Sequence, residues 1–535
     1  MRTTAVNVPV EIGLPGPADL ADVEIDVVFT SPGGDTREVP AFRTGAGRYR
    51  VRFAPPRVGH YAWQCRCASD PGHRLHGRSG SLDAVPYGGD NPLYRLGRLR
   101  RASDDRTLEH VDGTPFFWLA DTWWMGLCSR LKWPGEYKRL TADRVAKGFS
   151  VIQIVAGLCP DMPGLDERGA NEGGLPWRTG FSEINPAYFD LADRRIAHLV
   201  RSGLVPCIVG SWGYYFPMMG PLKMRRHWRE MIARWAAYPV VWALAGEAVY
   251  MADSPLAPEA QIRREWTALG EYVHAADPFG NPVTIHPTNI GRDQVDDDRV
   301  LDFEMLQTGH IGYDCVPKTM RQMTAALERL PRMPVLNGEV NYEGLLHGTQ
   351  DEMQRLCFWS CMLIGAAGHS YGANGIWQMN RPEAPFGPSP SGGNWGNTPW
   401  QEAYVKPGSR QVGLGRRLLE RYPWWQFRPH QEWTNRPSGP ENWFLVYAAG
   451  IPRVVRVLYE YTPVYTYEGD AGRHWVLGLE QDVAYTAYFY DPRTGQEHNL
   501  GAVRGNAEGK WRVPVEPVAT DWVIVLEADG ARRAP

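Results

Sequence analysis

VVWALAGEAVY, residues 240–250, decides how the chain is read. Its first residues are apolar and too few for a helix, and a glycine and a glutamate stop the run. A short apolar run bounded by a turn signal reads as a strand buried on both faces. Just upstream, Met224, Trp228, Met231, Ile232 and Trp235 recur at helical spacing and form one apolar stripe. An amphipathic helix feeding a fully buried strand is the unit of a parallel α/β sheet.

Outward from this point the unit repeats. Upstream lie FFWLAD (116–121), VIQIVAG (151–157) and LVPCIVG (204–210). Downstream lie PVTIH (282–286), DFEMLQ (302–307), PVLNGE (334–339) and AAGHSY (366–371). Helical stripes fall between many of them. Ala192, Ile196, Leu199 and Val200 follow Asn185-Pro186, a good N-cap and first-turn pair. Ile262, Trp266, Leu269 and Val273 make another stripe, and Met323, Ala326, Leu327 and Leu330 a further one. Gly148 closes an earlier helix. Strands of this number over about 300 residues predict a (β/α)₈ barrel. A doubly wound sheet is the alternative, but no glycine-rich phosphate loop follows the first strand.

The flanks have a different rhythm. VEIDVVF (23–29), RYRVRF (48–53) and YAWQCRC (61–67) alternate with period two between turn signals. WFLVYAA (443–449), RVVRVLY (453–459), WVLGLE (475–480), AYTAYFY (484–490) and DWVIVLE (521–527) do so again. The expected division is an antiparallel β-sandwich over 1–86, a barrel with its linker and hairpin over 87–422, and a second antiparallel sandwich over 423–535.

Charge narrows the function. Lys and Arg total 57 against 60 Asp and Glu, a net charge of −3. Nucleic-acid and anionic-membrane binders usually carry clustered basic charge, so neither partner is expected. No run is long enough to span a membrane. The opening residues lack the apolar core of a secretory leader. The eight cysteines are scattered without zinc-site spacing, and the expectation is buried free thiols in the cytoplasm. The aromatic content, 22 Trp, 24 Tyr and 16 Phe, suits both large cores and sugar-binding clefts.

Catalytic groups of a barrel sit at the C-terminal ends of its strands. The fourth strand ends in Glu247 and the seventh in Glu339, each after an apolar run and a glycine. Two carboxylates across one cleft are what glycosidic cleavage needs, one protonated and one ionised. The other strand ends enrich the same picture. They supply Asp121, Trp123 and Trp124; Gln153; Trp212 and Tyr214; Tyr250; His286; Gln307, His310 and Tyr313; Asn341 and Tyr342; His369; and, beyond the last strand, Trp377. Aromatic faces stack on sugar rings while Asp, Gln and His bind hydroxyls. Asp121 reads as a substrate anchor, with a catalytic acid as its alternative. Glu343 reads as a loop or helix-start residue and Asp296–Asp298 as a solvated acidic loop, with calcium as that run's alternative.

FFWLADTWW, KGFSVIQIV, the Gly-Glu after strand four, LQTGH, PVLNGEVNYEG and AGHSYGANGIWQ together resemble the apiosidase-like glycoside hydrolases. These are (β/α)₈ enzymes of the large clan of retaining glycosidases. The resemblance covers about 115–420. It implies Glu247 as acid/base and Glu339 as nucleophile. For such a reaction no cofactor is expected, and no metal. Members often carry Asp at the strand-four position, where this chain has Glu247. Many in the clan place Asn before it, where this chain has Gly246, so contact with the sugar 2-hydroxyl falls to Gln307 or His310. The reading is an exo-acting, retaining glycosidase of small oligosaccharides or glycosides. Alternatives are an enzyme of other linkage (an arabinofuranosidase, hexosidase or endo-glycanase) or a non-catalytic carbohydrate-binding protein.

Overall fold

A computed structural model describes residues 2–14, 23–249, 258–345, 348–390, 392–461 and 474–533. All eight apolar runs form strands of one parallel sheet: β1 (Trp118–Trp123), β2 (Val151–Val155), β3 (Val205–Val209), β4 (Val241–Ala243), β5 (Val283–Thr284), β6 (Glu304–Gln307), β7 (Val335–Glu339) and β8 (Gly368–Tyr371). The hydrogen-bonded order is β5-β4-β3-β2-β1-β8-β7-β6. The ring closes between β5 and β6 without a regular ladder. There Asp302 N donates to Val283 O at 2.8 Å, and Val283 N donates to Asp302 Oδ2 at 2.7 Å.

Helices α1 (Gly135–Lys147), α2 (Pro186–Arg201), α3 (Tyr215–Trp235), α4 (Glu259–Ala276), α5 (Cys315–Glu328), α6 (Asp351–Leu363) and α7 (Pro407–Leu419) pack around the barrel. The β5–β6 connection carries only 3₁₀ turns, Gly291–Gln294 and Asp298–Val300, among its described residues. That short crossover matches the irregular seam. The stripes read from sequence face inward: Met224, Trp228, Met231, Ile232 and Trp235 of α3 are all buried. Truncating Trp228 to Ala would cost about 3–5 kcal/mol on that basis. Two local expectations change. Leu330 is 75% exposed, because α5 stops at Glu328 before reaching it. Asn185 holds the N-cap position of α2, with Pro186 in its first turn, but its side chain makes no capping hydrogen bond; its amide donates to Gly173 O and Leu175 O, both at 2.8 Å.

The N-terminal region is a pair of sheets. One orders as Arg2–Ala5, Ser79–Val85, Gly59–Arg66, Asp26–Thr30 and Thr36–Pro40; the other as Val10–Leu14, Tyr49–Phe53 and Phe42–Arg43. Phe29 and Phe53 stack between them with centroids 4.0 Å apart. Pairing is antiparallel except for Arg2–Ala5 beside Ser79–Val85.

The C-terminal region has a six-stranded antiparallel sheet, and its period-two pattern serves two cores. Val446, Ala448, Leu458, Ile524 and Leu526 face a small ribbon made by Trp475–Val476 and Trp511–Arg512. Tyr447, Ala449, Val457, Tyr459, Val523 and Val525 join the barrel core instead. Trp359 of α6 stacks on Tyr459 at 5.8 Å, and the Arg355–Asp521 ion pair closes at 2.7 Å beside it. The sheet therefore buttresses the barrel wall that carries α6. All eight cysteines are free and buried.

Candidate active site

The C-terminal ends of β4 and β7 face one cleft, and in each case a glycine sets the approach. Gly246 N donates to Ser211 O at 2.9 Å and Gly213 N to Gly246 O at 2.7 Å, tying the segment after β4 to the one after β3. A Cβ on Gly246 would fall 2.3 Å from the Trp212 ring. No larger residue fits there without moving that indole. The next residue, Glu247, sits in the left-handed region at φ +46°. A glutamate there is strained, and such strain gathers at functional sites. At β7, a Cβ on Gly338 would fall 2.2 Å from the Met305 side chain. The close approach of β6 and β7 includes a register shift at Leu306/Gln307, which brings Gln307 opposite Glu339.

Glu247 is half-buried and held by two neutral donors. Trp212 Nε1 donates to Oε2 at 3.1 Å and Gln307 Nε2 to Oε1 at 2.7 Å. Burial, and then the nearby charge of Glu339, raise its carboxyl above the usual carboxylate range; Gln307, His286 and Trp212 oppose this without cancelling it. Glu339 is treated in the opposite way. His310 Nε2 lies 2.6 Å from Oε1. His286 Nε2 lies 2.9 Å from Oε2, at ion-pair distance but off the best hydrogen-bonding direction. Burial alone would raise this carboxyl, but the contacts from His286 and His310 outweigh it and pull it down to about 2. Two carboxylates of one cleft are thus pushed apart, the arrangement that sets one as an acid and the other as an anion.

The cleft encloses about 140 Å³ and is lined by Trp124, Pro160, Asp161, Trp212, Glu247, His310, Glu339, Tyr342, Leu345, Trp377 and Trp395. Trp124 packs edge-on to Trp212 at 5.5 Å and donates from Nε1 to Tyr342 OH at 2.9 Å. His310 lies 4.5 Å, centroid to centroid, from Tyr342.

Several residues read from sequence as cleft residues serve elsewhere. Asp121 is wholly buried and binds Arg144 Nε at 2.6 Å and Trp123 Nε1 at 2.7 Å. It faces α1, as does Trp123, which packs on Tyr137. Gln153 lies inside the barrel, donating to Gly338 O at 2.9 Å and accepting from Ser370 Oγ at 3.1 Å. Tyr214 donates its hydroxyl to Cys159 O at 2.7 Å. His369 is buried against Phe358 of α6. Tyr313 is an exposed surface residue bound to Glu352 at 2.9 Å. Asn341 is buried and donates to Thr349 Oγ1. Tyr250 lies outside the described residues. Strand period explains the first group: Asp121, Trp123 and His369 stand on outward-facing positions, one step out of phase with the cleft.

His286 and Gln307 contact the two glutamates directly, while Trp124, Trp212, His310, Tyr342 and Trp377 line the cleft. Glu343 is a buried structural acid: Tyr371 OH donates to it at 2.5 Å and Gly408 N at 3.1 Å. In the acidic run, Asp298 binds Arg292 at 2.6 Å and Asp297 binds Arg299 at 2.5 Å.

Sequence reading missed Asp161 and Trp395. Asp161 follows β2 in CPDMPG, and an acid in a Pro/Gly loop at that strand's end was the available signal. Trp395 stands in the glycine-rich SGGNWGN well beyond β8, and nothing local shows where such a loop folds back.

A family model for the catalytic domain of apiosidase-like proteins matches residues 102–426. A model for a domain of unknown function, DUF5060, matches residues 9–68. Among solved structures, one described as a glycoside hydrolase shares 22% identity and a TM-score of 0.67, covering 83% of this chain and 99% of its own. A glycoside hydrolase family 5 protein from Bacteroides vulgatus ATCC 8482 shares 21% identity and a TM-score of 0.68, covering 82% of this chain and 94% of its own. At such identities they establish a common fold. No curated protein matches the chain.

Proposed function

The chain belongs to the apiosidase-like family and is a glycosidase, and from that premise we propose that it removes a terminal sugar by a retaining double displacement. The observation that carries this reading is the opposed pair: Glu339 pulled down to about 2 by two histidines, Glu247 raised by burial and by Glu339 itself.

In the first step the Glu339 carboxylate attacks the anomeric carbon while Glu247 gives its proton to the glycosidic oxygen. The bond to the leaving group breaks and a glycosyl ester forms on Glu339. In the second step Glu247, now ionised, takes a proton from water as its oxygen attacks the anomeric carbon, and the ester bond breaks. His286 and His310 keep Glu339 anionic and fix its plane. Gln307 spans the pair, standing opposite Glu339 on the sheet while its amide holds Glu247. The indoles of Trp124, Trp212, Trp377 and Trp395 supply flat apolar walls. Exo action rests on the small volume between those walls, which suits a terminal unit better than a threaded chain.

The test is the anomer released first from a nitrophenyl glycoside that the enzyme cleaves, read by proton NMR. Retention is expected, with turnover lost in Glu339→Ala and lowered about 10²–10⁴-fold in Glu247→Ala. Inversion overturns the double displacement. Sugar binding with no cleavage of any glycoside overturns the catalytic reading of this site.

A further inference from the structure

Three carboxylates converge on the cleft, and the proposed reaction uses two of them. The third, Asp161, is half-buried on the loop after β2 and stands at φ +53°. Asp tolerates the left-handed region better than most residues, so the fold can hold it there cheaply. Among the described residues, neither arginine nor lysine lines the cleft or pairs with Asp161. The arginine whose field reaches it, Arg168, is committed elsewhere: its guanidinium binds Asp166 at 2.9 Å and Phe386 O at 2.7 Å. His310, also facing it, has Nε2 on Glu339.

Indole donors that make no well-formed hydrogen bond among the described residues line the same cleft. Trp395 Nε1 is buried beside the Asp161 carboxyl without a well-formed hydrogen bond to it, and Trp377 Nε1 is buried and unpartnered. An acceptor and N–H donors in one cleft match a hydroxyl group, which accepts one hydrogen bond and donates another. They do not match a carboxylate, which only accepts and would meet Glu339 and ionised Asp161 with like charge, while His310, the imidazole facing it, is already engaged by Glu339.

We propose that Asp161 selects the glycon: it takes hydrogen bonds from the hydroxyls of a neutral sugar and turns away sugars that carry a carboxylate. This rests on the cleft being the sugar subsite assigned above, but not on the assignment of acid and nucleophile. Burial, then Glu247 and Glu339, push Asp161 up to about 7; a hydroxyl can partner either form, whereas a carboxylate is repelled by the ionised form alone, so the discrimination belongs to pH above that value.

The experiment measures binding rather than turnover, by tryptophan fluorescence on the intact chain. The probes are matched monosaccharides: glucose against glucuronate, galactose against galacturonate, and xylose and arabinose as neutral pentoses. The wild type is expected to bind at least one neutral sugar, about tenfold or more tighter than any uronate. Asp161→Asn keeps the shape and the left-handed preference. It is expected to weaken the neutral sugar about tenfold and to narrow the discrimination by a similar factor. Asp161→Glu, which keeps the charge, should retain the discrimination. A uronate bound as tightly as its neutral partner by the wild type overturns the proposal. So does unchanged discrimination in Asp161→Asn, or no binding of any of these sugars. If the expected pattern is found but no glycoside is cleaved, Asp161 keeps its role and the catalytic reading alone falls.

Discussion

Gly246 lies so close under the indole of Trp212 that a Cβ there would sit 2.3 Å from the ring. The same indole donates to Glu247, the residue after Gly246, at 3.1 Å. Backbone approach and carboxyl orientation are therefore one device, and the segments after β3 and β4 cannot be tuned separately. The glycine ahead of the strand-four acid has a steric cause: an asparagine at this position would need the space that Trp212 fills.

Gly246→Ala must move the ring, and Glu247, already at φ +46°, has little freedom to follow. We expect kcat/KM to fall about 10²-fold, the scale of a displacement near 1 Å at a reacting group. Overpacking should cost about 1–3 kcal/mol of stability. Because Glu247 is proposed to protonate the leaving group, the loss should be larger for alkyl glycosides than for nitrophenyl ones, whose leaving group needs little protonation. Kinetics on the two aglycones decide it. Activity within about twofold of wild type on both would show that Trp212 does not aim Glu247.

The pH profile should follow the opposed pair. The proposed reaction requires Glu339 ionised and Glu247 protonated, so kcat/KM should rise through the low value of Glu339, about 2, and fall through the raised value of Glu247. Replacing His310 by Asn removes a donor that favours the carboxylate. Burial then dominates, and the carboxyl of Glu339 titrates higher. The acidic limb should move toward neutral pH, while the alkaline limb, set mainly by the burial of Glu247 and the charge of Glu339, moves little. His286→Asn should act in the same direction. An acidic limb that stays in place in both variants would mean that neither histidine holds Glu339 ionised.

The barrel was legible because each strand is buried on both faces and so reads as an unbroken apolar run, VVWALAG most clearly. Glu247 and Glu339 were legible because chain order alone places strand ends on one face of a barrel. What period counting does not show is which residues just before or after a strand end turn inward. Asp121 and Trp124 are near neighbours in sequence, yet one binds α1 and the other lines the cleft. Loops are harder still. Asp161 and Trp395 reach the cleft through turns whose paths depend on packing far along the chain, and no local pattern encodes that meeting. The β5–β6 seam is similar: the short crossover could be counted, but not the substitution of Asp302 for a ladder bond.

Asp121 and Asp161 give opposite expectations for the same substitution. Asp121 is wholly buried and joined to an equally buried Arg144 at 2.6 Å, with Trp123 Nε1 as a further donor. Asp121→Asn keeps the volume but removes the charge that compensates the guanidinium. Arg144 retains Asp143 at 2.5 Å, so the loss should lie near the lower end of the about 3–5 kcal/mol for breaking a buried pair. Since Asp121 does not line the cleft, the folded fraction of this variant should keep KM within about twofold of wild type. Asp161→Asn should do the reverse, leaving stability nearly unchanged while weakening sugar binding. Thermal unfolding paired with KM separates them. A raised KM with unchanged stability in Asp121→Asn would return that residue to the cleft.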